Sequence, residues 1–301
     1  MKILITGGTG FVGSFVANYF LKNGHAVIAT GTSATHPLAG HANFEYVAAD
    51  TSQPGPWQTK VPQAAAVVNL AGRTIFHRWT KAYKQEILDS RIGTTRHLVE
   101  ALPSDKPMTL LSASAVGFYG DRGDEVLAED AAAGSDFLAQ VSTRWETEAL
   151  RAASQNHRVI IMRFGVVLGA NGGALAQMVP AYRLFAGGAL GSGRQWFPWI
   201  HMEDLSAAVA FCLPTKALQG PVNFCAPGVV TSRTFAKALG RALHRPAVMR
   251  VPTFALRMAM GEMGSVLLNS QRVIPKRLQQ AGFGFQYPDI DDALQDILSA
   301  G

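Results

Sequence analysis

Through the first half of the chain, short uninterrupted apolar runs alternate with longer stretches whose apolar residues recur every three or four positions. The runs at Lys2–Thr6, Ala26–Ala29, Phe44–Ala48, Ala66–Leu70, Thr109–Ser112 and Val159–Arg163 predict strands. The periodic stretches, clearest at Phe11–Asn23, Lys81–Ala101 and Phe137–Ser154, predict helices. A strand buried on both faces has no polar side to show. Such strands separated by helices predict a doubly wound parallel α/β sheet covered on both sides. After Gly165 the pattern changes. Glycines cluster in GANGGA and AGGALGSGRQ, and Pro252–Gly264 predicts an apolar helix. The tail from Val273 to Leu298 predicts a turn at Tyr287-Pro288 and a final helix. The expected organisation is a sheet domain over residues 1–165 and a smaller substrate lobe over 166–301 that returns at least once to the main sheet. Ligands of open α/β sheets bind at the carboxyl edge of the strands, where such a lobe would sit.

The 301 residues, 48% of them apolar, supply a core for one large α/β domain or one domain with an added lobe. Cys212 and Cys225 have no CxxC spacing and no clustered histidines, so no disulfide framework, zinc site or thiol redox chemistry is expected. They read as small buried hydrophobes. The opening MKILITGG is a strand and a glycine turn without the apolar core of a signal peptide. No uncharged apolar run approaches the roughly 18 residues of a membrane span. A cytoplasmic place and no membrane partner are the expectations. The net charge of +6 is scattered, which fits an anionic cofactor and substrate better than nucleic acid.

The segment Thr6-Gly7-Gly8-Thr9-Gly10-Phe11-Val12-Gly13 follows the first strand and opens the first helix. It satisfies GxGxxG from Gly8 and GxxGxxG from Gly7. Glycines allow a tight turn and bring backbone N–H groups and the helix N-terminus to a pyrophosphate, so the segment predicts a dinucleotide site. The second strand is followed by no acid before Glu45, and Thr30, Thr32 and Ser33 stand where a ribose 2′-hydroxyl would be held. That favours NADP, with NAD possible because no arginine is there either. Asp50, after the third strand, can accept from the adenine amino group or cap a turn. Leu70, Ala71 and Gly72 end the fourth strand, where small residues let a cofactor lie against the backbone.

These motifs together resemble the extended short-chain dehydrogenase/reductase superfamily, and more narrowly its atypical "epimerase family" branch with a C-terminal domain of unknown function. The carrying residues are GGTGFVG at 7–13, NLAG at 69–72, RWT at 78–80, SRIGTT at 90–95 and SASAVGFYG at 112–120. They continue with WE at 145–146, RFGVVLG at 163–169, GSGRQWFPWIHMEDL at 191–205, and QRVIPKRL followed by GFGFQYP within 271–288. The resemblance implies a Rossmann-type NAD(P)-binding domain, a small substrate lobe and, over 250–298, a branch-specific C-terminal part. It implies no particular substrate or oligomeric state. Members usually carry Arg near the end of the second strand, where this chain has Thr32.

The superfamily mechanism uses Ser or Thr, Tyr and Lys: the hydroxyl orients the substrate, and Lys lowers a Tyr pKa of about 10 toward working pH. Ser114 matches the Ser position. The Tyr-x-x-x-Lys pair should fall in FLAQVSTRWE, where the best register puts Gln140 and Arg144 at the two places, and a slip of one puts Trp145 at the second. Arg144 and Glu148 also have the spacing of an i,i+4 ion pair. A relocated acid is Tyr119 or His201, the latter with a pKa suited to neutral proton transfer. Asp204 is expected to cap a helix over Leu205–Leu213. Arg73, His77, Arg78 and Trp79 crowd the loop after the fourth strand, and Arg194 and Trp196 stand in the lobe. Cations there fit an anionic group on the ligand. Arg91, Ser112 and Arg163 complete the residues expected to face the cofactor, Arg91 alternatively supporting the loop. Two classes stay open: an NADP(H)-dependent oxidoreductase or epimerase with an altered acid, and an NADP(H)-binding sensor or scaffold without turnover.

Overall fold

The computed structural model describes residues 1–170 and 172–299. Seven parallel strands form the main sheet: β1 (Lys2–Thr6), β2 (Ala26–Gly31), β3 (Phe44–Ala48), β4 (Ala66–Asn69), β5 (Thr109–Ala115), β6 (Arg158–Phe164) and β7 (Gly220–Phe224). Their order is β7-β6-β5-β4-β1-β2-β3. The order reverses between β1 and β4, which opens a crevice at the carboxyl edge. This is a Rossmann-like α/β fold.

Period-two alternation sends each strand's side chains into two cores. Ile3 and Ile5 of β1, Val68 of β4 and Met162 of β6 enter one; Leu4, Val67 and Ile161 enter the other. The first core is closed by α1 (Phe11–Lys22) and α5 (Met202–Cys212), the second by α2 (Lys81–Glu100) and α3 (Phe137–Leu150). Full burial of each such Leu, Ile or Val contributes about 1.5–3 kcal/mol. Both cysteines are free and buried, Cys212 in the first core and Cys225 beside Val116, Tyr119 and Val273.

The lobe has its own core, with Trp199, Phe235, Leu239 and Leu294 at its centre. The helices α4 (Gly173–Arg183), α6 (Ser232–Ala242) and α10 (Ile290–Ser299) close it; α7 (Thr253–Met260) and α8 (Glu262–Val266) lie beside it, and α9 (Lys276–Gln280) packs on β7 instead. The single helix expected over Pro252–Gly264 is two, because Gly261 adopts φ 63° between α7 and α8. A short strand pair, Val126–Leu127 with Arg272–Val273, ties the tail to the loop between β5 and α3. Among the described residues no helix is long and apolar enough to cross a membrane.

Two buried histidines are expected to make the fold acid-sensitive. His157 accepts the Met108 N–H through Nδ1, while its Nε2 is buried without a partner. His201 accepts the Glu203 N–H and stacks on Tyr287 at 3.9 Å between centroids. Burial lowers both pKa values from 6.5, so the folded chain holds both rings neutral where the unfolded chain protonates them. Their stabilisation is therefore complete above about pH 7 and falls as pH drops below 6.5 toward the lowered folded values. Denaturant unfolding at pH 7.5 and 5.5 should show the loss, and His157→Gln should flatten the difference. An unchanged pH slope in that variant would contradict this assignment.

Candidate functional site at the carboxyl edge

The crevice begins where β1 runs into the glycine turn. Gly7 has φ 69°, and a Cβ there would lie 2.9 Å from the backbone of Leu70 and Ala71. A Cβ on Gly13 would lie 2.1 Å from the Gly7 carbonyl oxygen. The turn is thus shaped by the absence of side chains, and it touches the end of β4 directly. Helix α1 follows Gly10, which offers no side-chain cap, and among the described residues no side chain bonds its N-terminal N–H groups at Phe11, Val12 and Gly13. Thr9 covers Gly31, and the Gly8 N–H donates to the Thr30 carbonyl at 2.7 Å.

His36 went unnoticed in the sequence. Its Nδ1 accepts the Leu38 N–H at 3.1 Å, so the proton is on Nε2, which donates to the Gly8 carbonyl at 3.0 Å. The ring packs against Phe44 and Tyr46. The loop after β2 is thereby clamped to the glycine turn. The signal was a lone His in TSATHPLAG, which no spacing rule marks. Thr32 and Ser33 stand exposed beside this clamp. Asp50 is exposed at the end of β3, where its Oδ1 accepts from the Ser52 N–H and hydroxyl.

Beneath the crevice lies a buried polar network. Thr6 donates to Asn69 Oδ1 at 2.6 Å, and Asn69 Nδ2 donates to Thr95 at 2.9 Å and Ser112 at 3.2 Å. Trp145 Nε1 donates to the same Thr95 hydroxyl. Ser112 is therefore a strut joining β5 to β4 and not a residue facing the cofactor. Arg91 is half-buried against Gly72, donating Nη1 to the carbonyls of Arg73 and Ile87. Burial pushes its pKa down to about 10. The guanidinium supports the loop after β4 and brings positive charge to the crevice.

The next network corrects several expectations. Ser114 donates to Glu146 Oε1 at 2.6 Å, and Glu146 takes both arms of Arg163 at 2.9 and 2.8 Å. Arg163 also lies 3.5 Å over the Phe118 ring and donates to the Tyr119 hydroxyl. Tyr119 in turn donates to Asn223 at 2.7 Å. Arg163 and Tyr119 are buried, so neither faces the cofactor, and burial pushes the Tyr119 phenol up to about 12. Tyr119 is a core strut between β5, β6 and β7, not a relocated acid. Ser114 keeps the expected strand-end position, with its one proton given to Glu146.

Gln140 and Arg144 point to solvent. Arg144 lies in a surface groove between α2 and α3 with Asp89 and Arg96, away from the crevice. Its expected partner Glu148 pairs with Arg96 and Arg151 instead. The face of α3 toward β5 is Leu138, Ser142 and Glu146, four residues apart; the Leu138 side chain packs on Gly117. Neither a phenol nor an amine stands on that face. His201 caps α5 and packs under α10 near Asp296, away from the crevice. Asp204 is not the cap: it accepts the N–H groups of Gln286 and Tyr287, tying the tail down.

The loop after β4 divides. Arg73 is exposed and paired with Glu86, and His77 is exposed beside Tyr83. Trp79 is buried against Phe137, with its Nε1 bonded to Ile75, so it is core and not a substrate contact. The lobe encloses an apolar cavity of about 340 Å³. Trp196 lines it, with Phe76 reaching in from the loop after β4; Arg194 is exposed outside it.

Comparison with known proteins places this architecture. The model of the NAD dependent epimerase/dehydratase family matches residues 3–224, and a domain of unknown function, DUF1731, matches 251–297. An epimerase family protein of Staphylococcus saprophyticus is 41% identical over 98% of each chain. The crystal structure of human epimerase family protein SDR39U1 with NADPH superimposes with a TM-score of 0.88 at 31% identity, covering 99% of each chain. The Bacillus cereus UDP-glucuronic acid 4-epimerase, solved with UDP-glucuronic acid and NAD, shares the fold at 18% identity and a TM-score of 0.78, covering 99% of this chain and 98% of that one. The chain belongs to the NAD dependent epimerase/dehydratase family, in the branch that carries DUF1731 at its C-terminal end.

Proposed function

We propose that the chain is an NADP(H)-dependent oxidoreductase or epimerase acting on a small molecule held in the lobe. The observation that carries this is the uncapped N-terminus of α1 behind a glycine turn in which a Cβ at Gly7 or Gly13 would collide with backbone. The residues present fit the cofactor. The N–H groups of Phe11, Val12 and Gly13 would hold the pyrophosphate, Leu70, Ala71 and Gly72 the nicotinamide half, and Asp50 the adenine amino group. Thr32 and Ser33 would donate to a 2′-phosphate, as suits the NADPH seen in the human relative. Such a cofactor, when bound, would supply hydride transfer.

The chain's own groups then decide the proton. Ser114 is buried too, but it stands at the strand end, and because it gives its hydrogen to Glu146 its oxygen is left to accept from a substrate hydroxyl brought to that end. The Arg163 pair holds Glu146 in place for that role. The absent phenol on the α3 face favours a second reading, a cofactor-binding sensor without turnover, although losing one general acid typically costs about 10²–10⁴ in rate.

Titration of the purified chain against NADPH, followed by nicotinamide fluorescence, should saturate with a Kd on the order of micromolar, about −8 kcal/mol. No binding up to millimolar NADPH would sink both readings. Bound cofactor whose redox state no carbonyl or alcohol changes would favour the sensor.

A further inference from the structure

The cavity in the lobe is built for a particular chemistry. Its described lining side chains include Phe76, Met178, Trp196, Phe235, Leu256 and Met263, and none of them is Asp, Glu, Lys, Arg or His. Burying a diphosphate or a sugar there would strip charges and hydroxyls of water with few partners in return. Gln177 and Ser232 also line it, but several of its polar donors are committed elsewhere. Gln195 Nε2 donates to the Leu190 carbonyl, Asn269 Nδ2 to Asp136, and Trp196 Nε1 to Asp124. Burial also keeps the Tyr182 phenol neutral, its pKa pushed up to about 12.

The wall of the cavity packs against elements that flank the candidate site. Met260, Met263 and Leu267 line it and also pack with Trp79, Phe137, Leu138 and Val141. Leu138 faces Gly117, three residues beyond Ser114. One apolar wall therefore runs from the cavity to the end of β5.

The rim carries large exposed apolar side chains beside the cations Arg183 and Arg245. Ala181 and Ala186 line the cavity, and Leu184 and Phe185 between them are 79% and 60% exposed. On α7, Leu256 lines the cavity while Phe254 and Met258 on either side are exposed. Phe185 holds φ 62° at the end of α4, a place where glycine is the cheap residue. Contiguous exposed apolar surface at a cavity mouth marks a place where apolar matter binds.

We propose that the cavity takes the hydrocarbon body of a small apolar ketone or alcohol, without phosphate, as the substrate of this site. This rests on the proposed function for the identity of the reacting group, while the binding itself does not depend on it. The test is isothermal titration of the full chain with menthone, 2-decanone, UDP-glucose and UDP-glucuronic acid, alongside an NADPH titration. Two variants close the cavity: Ala236→Phe from within, and Ala181→Trp at the exposed mouth, where folding is not at risk.

At least one ketone should bind, and both variants should weaken it tenfold or more while leaving NADPH affinity within twofold. Ketone binding without NADPH binding would leave this proposal standing and overturn the proposed cofactor. A UDP-sugar bound as tightly as the ketones, and displaced by Ala181→Trp, would overturn the apolar assignment. So would ketone affinity unchanged by both variants, with Leu184→Ser instead shifting the mass by light scattering, which would give the rim to a second copy of the chain.

Discussion

Replacing Arg163 with methionine is expected to remove about 3–5 kcal/mol of folding stability, the cost of leaving one partner of a buried ion pair alone. In a chain of this size that lowers Tm by roughly 5–10 °C. Arg163 and Glu146 are 3% and 5% exposed, so water cannot replace the lost partner. The guanidinium also lies over Phe118 and donates to the Tyr119 hydroxyl and the Glu129 carbonyl. Methionine fills part of the volume and satisfies none of these. The double variant Glu146→Leu/Arg163→Met should lose less than the sum of the two singles, because it removes both charges together. Calorimetry on the four proteins of that cycle measures the coupling. A loss below about 1 kcal/mol for Arg163→Met would show that the pair is solvated and not structural.

The same cycle bears on function, because Ser114 hangs from Glu146. Once Glu146 is leucine, the Ser114 proton is free to rotate toward a substrate oxygen. A structural role alone for the network predicts that turnover and stability fall together. A positioning role predicts a change in turnover that persists when assays are run well below the lowered Tm.

What the sequence revealed and what it hid follow from the range of the interactions. Six of the seven strands were legible as apolar runs, because a strand buried on both faces needs nothing from afar to be recognised. The last three residues of β5 were not, since Ser114 looks polar and is satisfied by Glu146 on another element. Strand β7, GPVNF, opens on Gly-Pro and carries Asn223 at its centre of burial, so only its pairing with β6 marks it.

In the site, the glycine turn was legible because its chemistry is local backbone. The face of α3 was not. Arg144 and Glu146 are two residues apart, about 200° around a helix, so one faces solvent and the other the core. Spacing cannot tell them apart when no Tyr or Lys marks the register. Trp79, Tyr119 and Arg163 carry groups that suggest chemistry, yet their partners lie on elements the sequence does not bring together. The cavity draws its wall from the loop after β4, from α4, α6, α7 and α8, and from the segments between them, and no single motif records it.

Gly13→Ala is expected to weaken NADPH binding at least a hundredfold, about 3 kcal/mol, whereas Gly10→Ala should stay within about tenfold, about 1.4 kcal/mol. The difference is where a methyl group would go. On Gly10 it would lie 3.1 Å from the Gly7 carbonyl oxygen, which a small shift relieves. On Gly13 it would lie 2.1 Å from that oxygen and 2.9 Å from Gly8 Cα, which no side-chain motion relieves. The turn itself cannot retreat. Behind Gly7 stands the Leu70–Ala71 backbone, and Gly8 is held by the Thr30 carbonyl on one side and His36 on the other. The whole turn must therefore leave its place, and the α1 N–H groups lose their aim at the pyrophosphate. Overpacking of this kind also costs roughly 1–3 kcal/mol of stability, so affinity is to be read well below the variant's Tm. Nicotinamide fluorescence titration of the two variants decides the matter. Gly13→Ala binding within threefold of the unmodified chain would mean that the cofactor does not approach through this turn, and the proposed site would have to be given up.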